Sequence, residues 1–240
     1  YYSLLTSSVA AWEGLQNGAV FHAVTNKIQP TVVTESGPLS RSTTCTVSTM
    51  TISALTMPLE GMTILDATQV MAGPFCTLLL ADMGAEVIKI EKPDGDDSRR
   101  IGPPFIEGES AAFLGINRNK KSVVLDLQSS TGKAAFKRLA AQVDVVAENF
   151  RPGTMQRLGL GPEDLRNGHP ELIYVSVSGF GQTGPYSTRP GYDLIAQGMS
   201  GMMSVTGYPD ADPIKVSIPI CDLSAGMFAA YGVLSAYIHR

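Results

Sequence analysis

The stretch "ILDATQVMAGPFCTLLLADMGAEVIKIEKP" (64–93) decides the fold. It scans as strand, tight loop, helix, strand. Met62–Asp66 is a short buried strand. Gly73-Pro74 punctuates the loop, and Pro74 suits a first helical turn, where its missing N–H costs nothing. Leu78, Leu79, Leu80 and Met83 supply the buried face of the helix. Gly84 reads as the C′ stop, because glycine enters the left-handed region without strain. "EVIKIE" (86–91) is the next strand. This is the opening of a nucleotide-binding α/β unit. Yet the three spaced glycines of a dinucleotide fingerprint are missing, and so is the Gly-Lys-Ser/Thr of a P-loop. The loop Gln69-Val70-Met71-Ala72-Gly73-Pro74 has something else to hold.

A second unit follows. "SVVLDL" (122–127) reads as a strand and "SSTGKAAFKRLAAQV" (129–143) as a helix, with Ala135, Leu139 and Val143 on one stripe. "DVVAEN" (144–149) is a strand, 162–167 a short helix, and "LIYVSVSG" (172–179) a strand. Strands alternating with helices imply a parallel sheet with flanking helices, a Rossmann-like α/β fold. Ligands on such sheets sit beyond the carboxyl ends of the strands. That places 67–74, 92–100, 149–153 and 179–185 on one rim. Further on, 191–207 reads as a helix, and 221–240 as a second with Asp222 at its N-terminus.

Residues 1–56 differ in texture. They are rich in Ser and Thr without periodicity, and read as a poorly ordered or leader-like extension to the 57–240 domain. The chain starts on Tyr1 and stops within an apolar helical pattern, so it is expected to be a fragment of a longer protein. At 240 residues it has length for a real core. A net charge of −4 argues against non-specific nucleic-acid binding, which needs a basic face. Cys45, Cys76 and Cys221 are odd in number and far apart, which suggests a reducing compartment. No run approaches 18 apolar residues, so no transmembrane span and no membrane partner are expected.

Histidine is scarce: His22, His169 and His239. None has a zinc-ligand spacing, so no metal is expected, and a serine–histidine triad lacks a base. Cys221 is a nucleophile only if its helix terminus lowers the thiol pKa; the plainer reading is a small buried residue. Asp222 has two readings. As an N-cap it accepts backbone N–H bonds and stabilises the helix. As a carboxylate kept ionised by those donors and the helix dipole, it can attack an activated acyl group such as a thioester. "GYD" (191–193) brings a phenol and a carboxylate after a glycine-rich segment. Arg99 and Arg100 are within reach of a phosphate, although "DGDDSRR" (94–100) also reads as a solvated loop. "NRNKKS" (117–122) reads as an exposed basic turn.

Five ordered blocks carry a resemblance. They are "LEGMTILDATQVMAGPFCTLLLADMGAEVIKIEKPDGDDSR", "NRNKKSVVLDL", "DVVAENFRPGTMQRLGLG", "YVSVSGFGQTGPYSTRPGYD" and "CDLSAGMFAAYG". From about Pro58 onward the chain resembles the class III CoA-transferases, a family that includes the α-methylacyl-CoA racemases. The resemblance implies that the first loop binds coenzyme A, with Gln69, Val70, Met71 and Ala72 near its adenine and pantetheine. Gly73 would allow the close approach. It places Lys92 by the phosphorylated ribose, and Leu125, Asn149, Phe150, Arg157 and Leu158 along the channel. Gln128 stands where relatives can carry a lysine for a CoA phosphate. Asp222 matches the family's catalytic aspartate, which forms an anhydride and then an aspartyl-CoA thioester. Tyr192 and Asp193 stand where the racemases have His-Asp. A phenol ordinarily titrates near about 10, a poor base at neutral pH. Transfer is therefore favoured over epimerisation, with Tyr192 and Asp193 orienting the acyl group.

The blocks look closest to members using dicarboxylates, such as succinyl-CoA with glutarate. Acyl-CoA and a carboxylic acid would be the substrates, with no permanent cofactor. The resemblance also implies an interlocked homodimer, and a cytoplasmic site in bacteria or the mitochondrial matrix in a eukaryote. A racemase and a non-catalytic CoA-binding fragment are the alternatives.

Overall fold

A computed structural model describes residues 57–240. The leader-like reading of 1–56, with His22 and Cys45, lies outside the described residues. The first unit is β1 (Thr63–Ala67), α1 (Ala72–Asp82) and β2 (Glu86–Glu91). Gly84 sits just past the Met83 cap at φ +101°, as its C′ reading requires. A 3-10 turn, Asp97–Arg100, leads to a small hairpin, β3 (Phe105–Ile106) and β4 (Glu109–Ser110), and to α2 (Ala111–Asn117). Then come β5 (Lys120–Val124), α3 (Ser130–Ala140), β6 (Val145–Glu148), α4 (Thr154–Leu158), α5 (Pro162–Arg166) and β7 (Ile173–Ser176). The chain closes with α6 (Asp193–Met199), a 3-10 turn at Met202–Val205, and α7 (Ile220–His239).

Five strands form one wholly parallel sheet in the order β5-β2-β1-β6-β7. The chain winds outward from β1 to one edge, then returns to the other side of β1. The topological switch point thus lies between β1 and β6, in register at Ile64↔Val145. Alternate residues of these strands face opposite layers. Ile64, Val87 and Val145 pack with α1 and α7, while Leu65, Ile90 and Val146 pack with Phe136, Met155, Leu160 and Leu165. Every residue of β6 is buried, as a central parallel strand requires.

Three expected elements differ. The strand read at 122–127 begins at Lys120 and ends at Val124, because Ser129 caps α3 and Asp126 turns the chain before it. This edge strand is largely exposed. The helix read over 191–207 is two short pieces, broken by Gly201 at φ +79°. The sequence predicts no membrane-crossing run anywhere in the chain. By length and composition α7 does reach that mark. One stripe of it is packed: Gly226, Ala230 and Val233 recur at helical spacing and are buried against α1. Its outer face, Phe228, Tyr231 and Ile238, is exposed.

Candidate active site

The switch point is built by two loops that hold each other. After β1, the Gln69 N–H donates to Asn149 Oδ1 at 2.7 Å, and Asn149 Nδ2 returns a bond to the Gln69 carbonyl at 2.7 Å. Gly73 permits this closeness. A Cβ there would lie 2.5 Å from Thr68 Cβ and 3.1 Å from Asn149 Cγ. Its missing side chain makes room for the protein's own loops. Val70 sits at φ +68°, a region that β-branched residues avoid, and its N–H meets Asp96 Oδ1 at 3.3 Å.

Beneath this loop lies a buried ionic cluster. Lys89 Nζ donates to the Thr68 carbonyl at 2.9 Å and to Asp96 Oδ2 at 2.8 Å. Lys120 Nζ, expected in an exposed turn, is instead buried against Asp66 Oδ2 (3.1 Å), the Pro74 carbonyl and Asn117. Burial works to raise the Asp66 pKa, but Lys120, Lys89 and the hydroxyls of Thr68 and Thr77 outweigh it and hold it low. Burial pushes the Lys120 ammonium down. Arg99 is committed elsewhere. It pairs with the buried Glu91 at 2.7 Å and with Glu109 at 3.1 Å, and stacks on Phe113. Arg100 donates to the Asp94 carbonyl.

The opposite wall is the start of α7. Of the two readings of Asp222, the helix cap is overturned. The N-cap is Pro219, so Asp222 is the third helical residue. The carboxylate beneath the terminus belongs to Asp193, whose Oδ1 accepts the N–H groups of Cys221 (2.8 Å) and Asp222 (3.3 Å). Asp193 is delivered by the loop before it, where Gly179 and Gly191 cross. A Cβ on either would lie 2.4 Å from the other's Cα. Asp222 therefore keeps its own carboxylate out of the cap. Burial, and then the negative charge of Asp193, push its pKa up to about 6. The dipole of α7 favours the charged form, but these two effects outweigh it. The Cys221 thiol is raised by burial, Asp193 and Asp222, which argues against a thiolate nucleophile.

Between the walls is a cleft of about 280 Å³. Of the expected residues, Gln69, Val70, Met71, Ala72, Asn149, Phe150, Tyr192 and Asp222 line it together. Asp193 stands behind it, bonded to the helix terminus. Lys92, Leu125, Gln128, Arg157 and Leu158 are not in the lining. Lys92 pairs with Asp97 at 2.6 Å, Arg157 donates to Thr154, Gln128 is exposed, and Leu125 and Leu158 pack on the core. All five follow the carboxyl ends of β2, β5 or β6 in the chain. Sequence reading missed Arg151 and Arg189, which line the cleft, and the buried Gln197. Arg189 is stacked 4.1 Å over Tyr186. "RPGYD" marked only a turn; its arginine gave no separate signal. Among the described residues no group of His, Cys, Asp and Glu could hold a metal ion.

Residues 59–240 match the family model for CoA-transferase family III. A succinyl-CoA:glutarate CoA-transferase of Mus musculus is 49% identical over 184 residues, covering 76% of this chain and 42% of that protein. An acetyl-CoA:oxalate CoA-transferase of Acetobacter aceti is 46% identical over 185 residues, covering 76% of this chain and 47% of that protein. Among solved structures, a CAIB/BAIF family protein from Brucella suis superposes with a TM-score of 0.75 at 43% identity, covering 77% of this chain and 50% of that one. The chain thus spans about half or less of the length of these relatives.

Proposed function

The chain belongs to CoA-transferase family III, and on that premise we propose that the protein moves coenzyme A between an acyl-CoA and a carboxylic acid, with Asp222 as nucleophile. The observation that carries this is the Asp222 carboxylate, half-buried and unused by its helix, facing the cleft beside the switch-point loops. With a pKa near 6 it is ionised at neutral pH and more basic than an ordinary carboxylate. Both properties favour attack on a thioester.

The steps balance without an external energy source. An Asp222 oxygen attacks the thioester carbonyl, the C–S bond breaks, and CoA leaves as thiolate with an aspartyl anhydride behind it. The thiolate attacks the Asp222 carbonyl carbon and expels the donor acid. The acceptor carboxylate then attacks the aspartyl-CoA thioester, forming a new anhydride and freeing the thiolate. Attack of that thiolate on the acceptor's acyl carbon yields the new acyl-CoA and restores Asp222. The anhydride must be kept from water throughout. Coenzyme A would enter past Gln69–Ala72 and Asn149-Phe150, with its phosphates toward the rim residues Lys92, Gln128 and Arg157.

The acceptor is a short dicarboxylic acid in this reading. Two of the relatives are named for glutarate and oxalate. Arg151 and Arg189 line the cleft, and neither is in an ion pair among the described residues. Either can take a second carboxylate. The test uses full-length protein incubated with succinyl-CoA and hydroxylamine. Mass spectrometry should find the label on the peptide containing Asp222, and Asp222→Ala should lose both label and exchange. Exchange that persists in Asp222→Ala eliminates this nucleophile. Fast uptake of α-deuterium from heavy water would identify an epimerase instead.

A further inference from the structure

We propose that Gln197 is a positioning residue for this reaction: it locks the Asp193 carboxylate beneath the first turn of α7 and so fixes the nucleophile above it. The inference rests on the reading of Asp222 as nucleophile. Gln197 is fully buried. A buried primary amide is costly unless its polar atoms are matched, and here both ends are used. Its Nε2 donates to Asp193 Oδ2 at 2.6 Å and lies 3.4 Å from the Ile218 carbonyl. Its Oε1 accepts the Val216 N–H at 2.8 Å. One side chain thereby joins α6, the segment that feeds α7, and Asp193.

The Asp193 carboxylate is divided between two tasks. Oδ2 takes the amide of Gln197 and Oδ1 takes two N–H groups of α7. Turning it to release either set breaks the other. Such an anchor is needed because α6 has seven residues and no side-chain cap of its own; a helix that short has little intrinsic stability. Ala196 lines the cleft while Gln197 does not, so Gln197 acts on the reaction through Asp193.

The charged and titratable groups about Asp222 are few. Asp193 and the Cys221 thiol lie beside it, and Tyr192, Arg151 and Arg189 line the same cleft. The residues of α1 nearest α7, Ala72 to Phe75, carry no titratable side chain; the Cys76 thiol follows, pushed up to about 12 by burial. Asp193 is the one carboxylate among them whose position Gln197 controls. Freed from Gln197, its Oδ2 loses the bond that fixes its orientation, and its distance from Asp222 is no longer set.

The experiment compares full-length wild type with Gln197→Leu, Gln197→Glu and Asp222→Ala across pH. In Gln197→Leu, kcat should fall about 100-fold, the loss expected when a reacting group is misplaced by about 1 Å. KM for the acyl-CoA should hold, because the CoA-binding loops are untouched. The acid limb of kcat/KM, which Asp193 helps to set through Asp222, should shift from its wild-type position. Gln197→Glu keeps the shape, and its protonated carboxyl can donate to Asp193 as the amide did. Its activity should approach wild type at acid pH and fall away as pH rises. A folded Gln197→Leu protein with wild-type kcat and an unmoved acid limb overturns the proposal. If that variant does not fold, Gln197→Glu decides alone: no recovery at acid pH overturns it. Exchange surviving in Asp222→Ala defeats the nucleophile assignment instead, whatever Gln197 does.

Discussion

Replacing Asp222 with asparagine should make the protein inactive and, above pH 6, more stable. The Asp222 carboxyl has a pKa near 6 in the fold, against 3.8 in an open chain, because burial and Asp193 oppose its charge. A gap of roughly two units corresponds to at most about 3 kcal/mol. The group is only partly buried, and solvent screening reduces this to about 1–2 kcal/mol. The sign follows from which state holds the proton. Below 3.8 both states are protonated and the folded form carries no penalty. Between 3.8 and 6 the open chain releases its proton while the folded one keeps it. Over that window the folded state therefore loses stability as pH rises, and above the folded pKa the penalty is complete. Asparagine removes the charge, and among the described residues the carboxylate accepts no hydrogen bond that would be lost with it. Urea unfolding of the full-length protein at a series of pH values reads the effect. The stabilisation by Asp222→Asn should be near zero around pH 3.5, grow through 5, and level off above 6. A variant no more stable than wild type at neutral pH, or an increment of constant size at every pH, would refute the reasoning.

Two further substitutions test the walls of the cleft. Gly226→Val should lower stability by about 1–3 kcal/mol through overpacking, because a Cβ there meets the Ala72 carbonyl oxygen at 2.6 Å and Cys76 N at 3.2 Å; it should also reduce kcat by pushing α7, with Asp222, off α1, and denaturant melts with steady-state kinetics check both. Asn149→Ala deletes the two 2.7 Å bonds to the Gln69 backbone, each worth about 1 kcal/mol; KM for the acyl-CoA should rise roughly tenfold or more with a smaller change in kcat, and initial-rate measurements separate the two.

The sheet was legible because its signals are local. "EVIKIE" is bounded by Gly84 and Lys92-Pro93, and the strand occupies Glu86–Glu91 as read. The β6 segment was legible as a strand from its run Val145-Val146-Ala147, and it is buried along its whole length. The failures are equally physical. Lys120 looked like part of an exposed basic turn, yet three acceptors 46, 54 and 3 residues away draw its ammonium into the interior. No window of sequence contains Asp66 and Lys120 together. The edge strand β5 lacks the alternating pattern because its side chains are mostly exposed, so its start was misplaced by two residues, from Lys120 to Ser122.

The helix terminus at α7 shows most clearly where local reading stops. An aspartate near the start of a helix reads as its cap, since a carboxylate there satisfies free N–H groups. In this protein the capping carboxylate comes from Asp193, 28 residues before Cys221. The exchange of roles has a chemical consequence. Had Asp222 capped its own helix, its oxygens would have accepted N–H bonds, its pKa would have fallen, and its lone pairs would have been occupied. A weak base tied to the backbone is a poor attacker of a carbonyl. Capping by Asp193 satisfies the same N–H groups while leaving the Asp222 oxygens free, and its charge raises the basicity of Asp222 instead of lowering it. One aspartate therefore stabilises the terminus, and the other keeps the free carboxylate that the proposed nucleophile requires. The division depends on which carboxylate the Gly179–Gly191 crossing delivers beneath α7.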